Sequence, residues 1–261
     1  MHKFAYSLVF VLFTLSFTAN AETPEEKGLA IATEMDRRDT GWKDQTATLE
    51  MILRNRHGQE SKREIRSKTL EVDGDGDKAL SIFDTPNDVK GTAFLSYTHA
   101  VKPDDQWLYL PALKRVKRIS SNNKSGPFMG SEFAYEDLSS QEIEKYTYKF
   151  LRNEKLDGRD TFVIERFPQY EHSGYTRMIS WIDTEMYRPL KIEFYDRKEA
   201  LFKTLTFHDY QQYAGKFWRP GRMSMVNHLN NKSTELFWKN YQFNTGLNDR
   251  DFDQNTLKRA R

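Results

Sequence analysis

Cysteine is absent from all 261 residues. That excludes disulfides, thiolate metal ligands and a lipobox cysteine carrying an acyl anchor. Glycine and proline are sparse, at 13 and 8, and no Pro-, Gly- or Ser-rich linker divides the chain. The histidines past the leader (His57, His99, His172, His208 and His228) form no H-x-H or H-x-x-x-H pair, so no zinc site is legible. There is no G-x-S-x-G elbow and no G-x-x-x-x-G-K-[ST] or G-x-G-x-x-G loop. No carboxylate pair stands out as an acid and base. The expectation is a protein that is not an enzyme and uses neither cofactor nor metal. An excess of one charge is missing too: 40 basic against 38 acidic residues leave +2, with no field to gather nucleic acid.

Long apolar runs are missing, with one exception. Leu8 to Phe17 follows a short start containing Lys3 and precedes Ala19-Asn20-Ala21, a small-x-small cleavage pattern. The run is too short for a bilayer core of about 30 Å. Residues 1–21 therefore read as a secretory signal, cleaved near Ala21, and 22–261 as one exported domain in a bacterial periplasm.

What the chain does have is rings. Aromatics reach 14% although only 38% of residues are apolar, so the core must rest on Phe, Tyr and Trp, which suit sheets. Glu25 to Arg38 reads as an amphipathic helix, with Pro24 in its first turn and Leu29, Ile31, Ala32 and Met35 as an imperfect stripe. After Gly41 the period changes to two: Ala47, Leu49, Met51 and Leu53 alternate with more polar neighbours. Strand-like runs then recur at nearly regular spacing to Phe243, among them Gln106–Leu110, Arg177–Asp183 and a run over Phe217–Val226. Short helices are expected over Tyr135–Glu144 and Asp249–Arg259. This pattern predicts a mainly β antiparallel meander curled into a barrel or half-barrel. Several strands are apolar on both faces, so either helices cover one face or the concave side lines an apolar cavity. Asp73, Asp75, Asp77 and Asp84 echo a calcium loop, but Lys78 stands where glycine is required, and a charged hairpin tip is the better reading.

The densest information lies between Asp105 and Leu138. An aromatic strand runs into the basic segment Lys114, Arg115, Lys117 and Arg118, which reads as a solvated strand, a docking surface for an acidic partner, or a contact for anionic lipid head groups. The turn-rich Asn122–Pro127 follows and is expected to be mobile. It leads into Phe128, Met129 and Phe133, whose exposure would cost about 1.5–3 kcal/mol each. They must pack on core, partner or ligand, as a plug or as a lid.

The strings W-L-Y-L-P-A-L-K-R-V-K-R-I-S-S (Trp107–Ser121) and F-M-G-S-E-F-A-Y-E-D-L (Phe128–Leu138) resemble the bacterial outer membrane lipoprotein-sorting proteins, relatives of the periplasmic lipoprotein carrier LolA. The late W-R-P at Trp218–Pro220 agrees. The resemblance implies an incomplete antiparallel β-barrel of about 11 strands with a few helices closing its concave side, LolA/LolB-like. It also implies a hydrophobic cavity for lipid or lipoprotein acyl chains, with transfer toward the outer membrane, transient membrane contact, and an RND-type inner-membrane exporter as partner. The alternative is an accessory subunit of such an exporter without cargo of its own. On the matching positions it implies a cavity wall at Trp107, Tyr109 and Leu110, a lid or mouth at Phe128, Met129 and Phe133, and docking through Lys114, Arg115, Lys117 and Arg118. Strand alternation already limits that wall: if Trp107 and Tyr109 face inward, Leu110 does not.

Overall fold

In the computed structural model residues 21–259 are described; all of the expected signal peptide except Ala21 lies outside them. Helix α1 spans Pro24–Asp39. Thr23 caps it: its hydroxyl accepts from the Glu26 amide at 3.1 Å, and Glu26 Oε2 accepts from the Thr23 amide at 2.8 Å. That reciprocal pair, with Pro24 in the first turn, fixes where the helix begins.

Strands follow in two series. The first is β1 (Asp44–Arg54), β2 (Glu60–Leu70), β3 (Lys78–Thr85), β4 (Ala93–Tyr97), β5 (Asp105–Leu110) and β6 (Arg115–Ile119). The second is β7 (Tyr146–Leu156), β8 (Arg159–Pro168), β9 (Arg177–Asp183), β10 (Pro189–Tyr195), β11 (Leu201–His208), β12 (Gln211–Tyr213), β13 (Phe217–Arg219), β14 (Arg222–Asn227) and β15 (Lys232–Phe243). Thirteen strands form one open antiparallel sheet, in the order β6-β5-β4-β3-β2-β1-β15-β14-β11-β10-β9-β8-β7, and β12 and β13 pair separately.

Fifteen strands stand where about eleven were expected, and one of the additional ones has a local cause. Pro220 has no amide proton and Gly221 turns its own amide back to His208 O and Asp209 O at 3.1 and 3.0 Å. The single run expected over Phe217–Val226 is thereby cut into β13 and β14. The helices expected over Tyr135–Glu144 and Asp249–Arg259 are 3-10 turns instead, at Tyr135–Leu138, Ile143–Lys145, Asp249–Phe252 and Gln254–Arg259. Their polar groups are taken elsewhere: Tyr135 and Glu136 amides bond Gly126 O and Lys124 O, the Asp251 carboxylate accepts from the Asn248 amide, and the Asn248 side chain accepts from the Arg250 amide.

The order of the sheet requires it to curl. Strands β6 and β7 are consecutive in the chain yet occupy opposite edges, so residues 120–145 must cross from edge to edge. Leu108 on β5 and Phe194 on β10 lie in the second and tenth strands of the order, yet both belong to one buried cluster with Phe128 and Phe133. In a flat sheet at about 4.8 Å per strand they would be nearly 40 Å apart. The inner face is the side carrying Leu49, Met51, Ile65, Phe83, Phe94, Phe194, Leu205, Met225 and Leu236. Helix α1 covers one flank of it, with Ile31 and Ala32 against Tyr148, Ile164 and Ile182. The outer face of β3 to β6 is covered by Phe252 and Leu257 from the C-terminal turns.

Candidate ligand cavity

Large side chains fill only part of the inner face. On β1 and β2 the cross-strand pairs Met51–Arg63 and Leu49–Ile65 give way to Ala47–Ser67. The change from Leu and Ile to Ala and Ser leaves space, and a cavity of about 390 Å³ opens there. Its aromatic and apolar lining comes from Trp42, Phe207, Trp218, Met223, Trp238 and Tyr241, among others. That volume falls within the usual range of about 300–1,000 Å³ for small-molecule sites.

Polar groups cluster at one end of this lining. Asp39, at the C-terminal end of α1, places Oδ1 2.7 Å from Arg188 Nη2 and 2.7 Å from Arg219 Nη1. Arg219 also donates through Nε to Gln45 Oε1 at 3.1 Å and through Nη1 to the Trp218 carbonyl at 3.0 Å. Both arginines are buried, and burial pushes the guanidinium of Arg188 down from its ordinary value. Asp77 lines the same cavity. Burial, and then the neighbouring Glu142, push its carboxyl up to about 7. Burial likewise raises the Tyr210 and Tyr241 phenols above their usual range.

The residues expected to form the site are divided by the structure. Leu110 packs with the inner cluster that contains Phe128. Trp107 and Tyr109 do not: they lie on the outer face with Tyr97 and Val116 against Leu257 and Phe252. The alternation of β5 forces this separation, because Gln106 and Leu108 take the inward positions. Phe128 and Phe133 are 2% and 1% exposed. Phe128 lies against Phe83, Phe94 and Tyr135 at ring distances of 5.9, 5.1 and 5.5 Å. Met129 is half-buried beside them, at φ 50°, with its carbonyl accepting from Arg63 Nη1 at 2.6 Å. In this structure these side chains fill the inner face, and none of them lines the cavity.

Nor is the segment before them loose. Lys124, buried, donates to the buried Asp104 at 2.8 Å, and Lys145 bonds the other Asp104 oxygen. A bridge between Pro127 and Ala134 and the Phe128 amide to Phe133 carbonyl bond at 2.7 Å close the loop on itself. Downstream, Asp137 accepts from the Tyr175 hydroxyl, and Glu136 accepts from Tyr170 and Ser173 hydroxyls and the Gly174 amide. Lys114, Arg115, Lys117 and Arg118 are all exposed, and β6 is an edge of the sheet. The acidic turn is a set of separate contacts. Asp75 pairs with His99, Asp77 accepts from the Val72 amide and Asp84 holds Arg66 with both oxygens.

Arg188, Trp42 and Trp238 had not stood out in the sequence, and Trp218 and Arg219 only as part of W-R-P. A usable signal existed: the inward row of β1 and β2 shrinks toward Ala47 and Ser67, and Trp42 stands just before β1. Their convergence depends on pairing of β1 with β15, some 190 residues apart in sequence.

This curled sheet, crossed by an edge-to-edge loop and open to a small aromatic cavity, has a LolA-like fold. The chain belongs to the family of outer membrane lipoprotein-sorting proteins. It is 61% identical to a domain of such a protein from Vibrio parahaemolyticus, over 90% of this chain and 99% of that one, with a TM-score of 0.88. A DUF1329 family protein from Desulfovibrio piger is 30% identical over 90% of this chain and 99% of its own, with a TM-score of 0.85. A LolA superfamily protein from Nitrosomonas europaea shares the fold at 20% identity and a TM-score of 0.70, over 87% of this chain and 98% of that one. A family model described as "Uncharacterized protein" matches residues 75–259. No functionally curated protein matches.

Proposed function

We propose that the protein is a periplasmic carrier, without catalysis or cofactor, that holds the acyl chain of a lipid or lipoprotein on the inner face of its sheet and passes it toward the outer membrane. The observation that supports this reading is the aromatic cavity between α1, β1, β2 and the W-R-P corner. An acyl chain in water loses about 0.8 kcal/mol per methylene relative to a dry site. Tryptophan, phenylalanine and methionine surfaces supply such a site and demand no chemistry. The Phe128–Phe133 loop is the device that would admit a longer chain, because its rings occupy the inner face beyond the cavity. The exported location expected from residues 1–21, and one domain over 22–261, belong to the same proposal.

Native mass spectrometry of protein purified without detergent tests it, together with quenching of Trp42, Trp218 and Trp238 emission by a brominated fatty acid. Co-purifying lipid and saturable quenching are expected, and Met223→Trp, which fills the cavity, should weaken binding at least tenfold. A protein that is always empty and never quenched would defeat the reading.

The exposed basic edge strand supports one addition. Lys114, Arg115, Lys117 and Arg118 form a docking surface for an acidic partner, with an inner-membrane exporter of the RND type as the candidate. Reversing the four charges should abolish co-purification with that exporter and leave acyl binding unchanged; persistent co-purification refutes this docking site.

A further inference from the structure

The cavity is apolar on its walls and cationic at one end, and acyl burial alone does not call for the second property. Arg188 and Arg219 share a single carboxylate oxygen, Asp39 Oδ1, at 2.7 Å each. Among the described residues Asp39 is the one carboxylate in ion-pair contact with both guanidiniums, while Asp36 acts on Arg188 from farther away. The other carboxyl group in the lining, Asp77, is held up to about 7 and carries only part of a negative charge at neutral pH. Buried positive charge in excess of its partners is costly, because desolvation is then offset incompletely. Two buried donors belong to the same lining residues: Arg188 Nε and the Trp238 indole N–H have no hydrogen-bond acceptor among the described residues. Solvent does not reach either atom. Such orphan donors cost about 1–3 kcal/mol each, and an acceptor entering the cavity reaches this pair by displacing the side chains that now cover it.

Resting on the carrier reading, we infer that the cavity selects an amphiphile with an anionic head, a carboxylate or a phosphate, seated against Arg188 and Arg219, with its chain along Trp218, Met223, Trp238 and Phe207. The guanidinium is the side chain suited to this. It is planar, it offers several donors in a fork, and it remains charged when buried. Arg219 is also within 6 Å of the rings of Trp42, Phe217 and Phe243, which hold its plane while leaving its charge uncancelled. Asp39 then acts as an internal occupant that an incoming anion partly displaces. It keeps the arginines folded into place when no ligand is bound.

The test compares one chain length with different heads, below micelle-forming concentrations: dodecanoate, dodecyl phosphate, dodecanol and dodecyltrimethylammonium, with inorganic phosphate alone as a further arm. Tryptophan emission or calorimetry reads the affinities. The two anionic amphiphiles should bind about tenfold or more tightly than dodecanol, the cationic one weakest, and inorganic phosphate not measurably. In Arg188→Met and Arg219→Met the preference should collapse to the dodecanol level. Asp39→Asn removes the competing carboxylate and should raise anion affinity, an increase that a purely structural ion cluster would not give. Near-ultraviolet circular dichroism establishes that each variant is folded; should the methionine variants unfold, Asp39→Asn alone decides. If no amphiphile binds, the carrier reading itself fails. If dodecanol binds as tightly as dodecanoate, the carrier survives and the anionic site is overturned. Inorganic phosphate binding as tightly as dodecyl phosphate overturns the amphiphile and assigns the site to a free anion.

Discussion

Asp77 is a carboxyl group that neutral water would ionise fully and this fold does not. Its ordinary value of 3.8 is raised to about 7, first by burial and then by Glu142. A raised acid favours folding while protonated. Its contribution is complete below the unfolded value and is lost as pH rises from about 4 through about 7. Asp77→Asn should therefore raise stability at pH 8 by about 1–3 kcal/mol and at pH 5 by less than half of that gain. A three-unit shift sets a ceiling of about 4, reduced because the carboxyl keeps some solvent. Urea midpoints at the two pH values measure this. Phe128 makes the opposite kind of contribution. It is closed off among Phe83, Phe94 and Tyr135, so Phe128→Ala should cost about 3–5 kcal/mol in urea unfolding and expose a surface that binds a hydrophobic dye. That a loop carrying Phe128 and Phe133 must pack on something was legible in their chemistry. That they fill the core rather than line the cavity was not, because the contacts come from β3 and β4.

At the level of elements, α1 depends on one missing side chain. Gly28 is buried in the middle of the helix, and a Cβ there would meet the Lys149 and Phe150 backbone at 2.8 Å. Glycine to alanine in a free helix gains about 1 kcal/mol. Here the backbone of β7 cannot yield as a flexible side chain would, so Gly28→Ala should destabilise the protein by about 1–3 kcal/mol. A thermal melt showing the usual gain would contradict this docking of α1 on β7. The helix itself was readable from Pro24, the acidic first turn and the stripe of Ile31 and Ala32, since caps and periodicity are local. Strand β5 was readable as a strand, but not its orientation. Trp107 and Leu108 are both apolar, and only the partner layers, C-terminal turns outside and Phe128 inside, decide which faces in. The break of the Phe217–Val226 run was signalled by Pro220 and Gly221.

Over the whole molecule, the last long strand is a central one: β15 lies between β1 and β14, seventh of thirteen. Stopping the chain before Lys232 would leave two half-sheets with raw edges and remove Trp238 and Tyr241 from the cavity. Such a truncation should lose its near-ultraviolet circular dichroism and aggregate, whereas removal of a peripheral strand would be tolerated better. Pairing of β1 with β15 also closes a loop of nearly the full chain, so refolding from urea should be slow, on the order of milliseconds to seconds or longer by stopped-flow fluorescence. The sequence by itself determined the β class, the N-terminal helix, the absence of disulfides and of thiolate ligands, and the resemblance carried by Trp107–Leu138. Each of these is written in composition or in neighbours a few residues apart. The tertiary structure alone decided the site. Asp39, Ala47, Arg188, Arg219 and Trp238 come from four separate regions of the chain, and only the curl of the sheet gives them a common cavity.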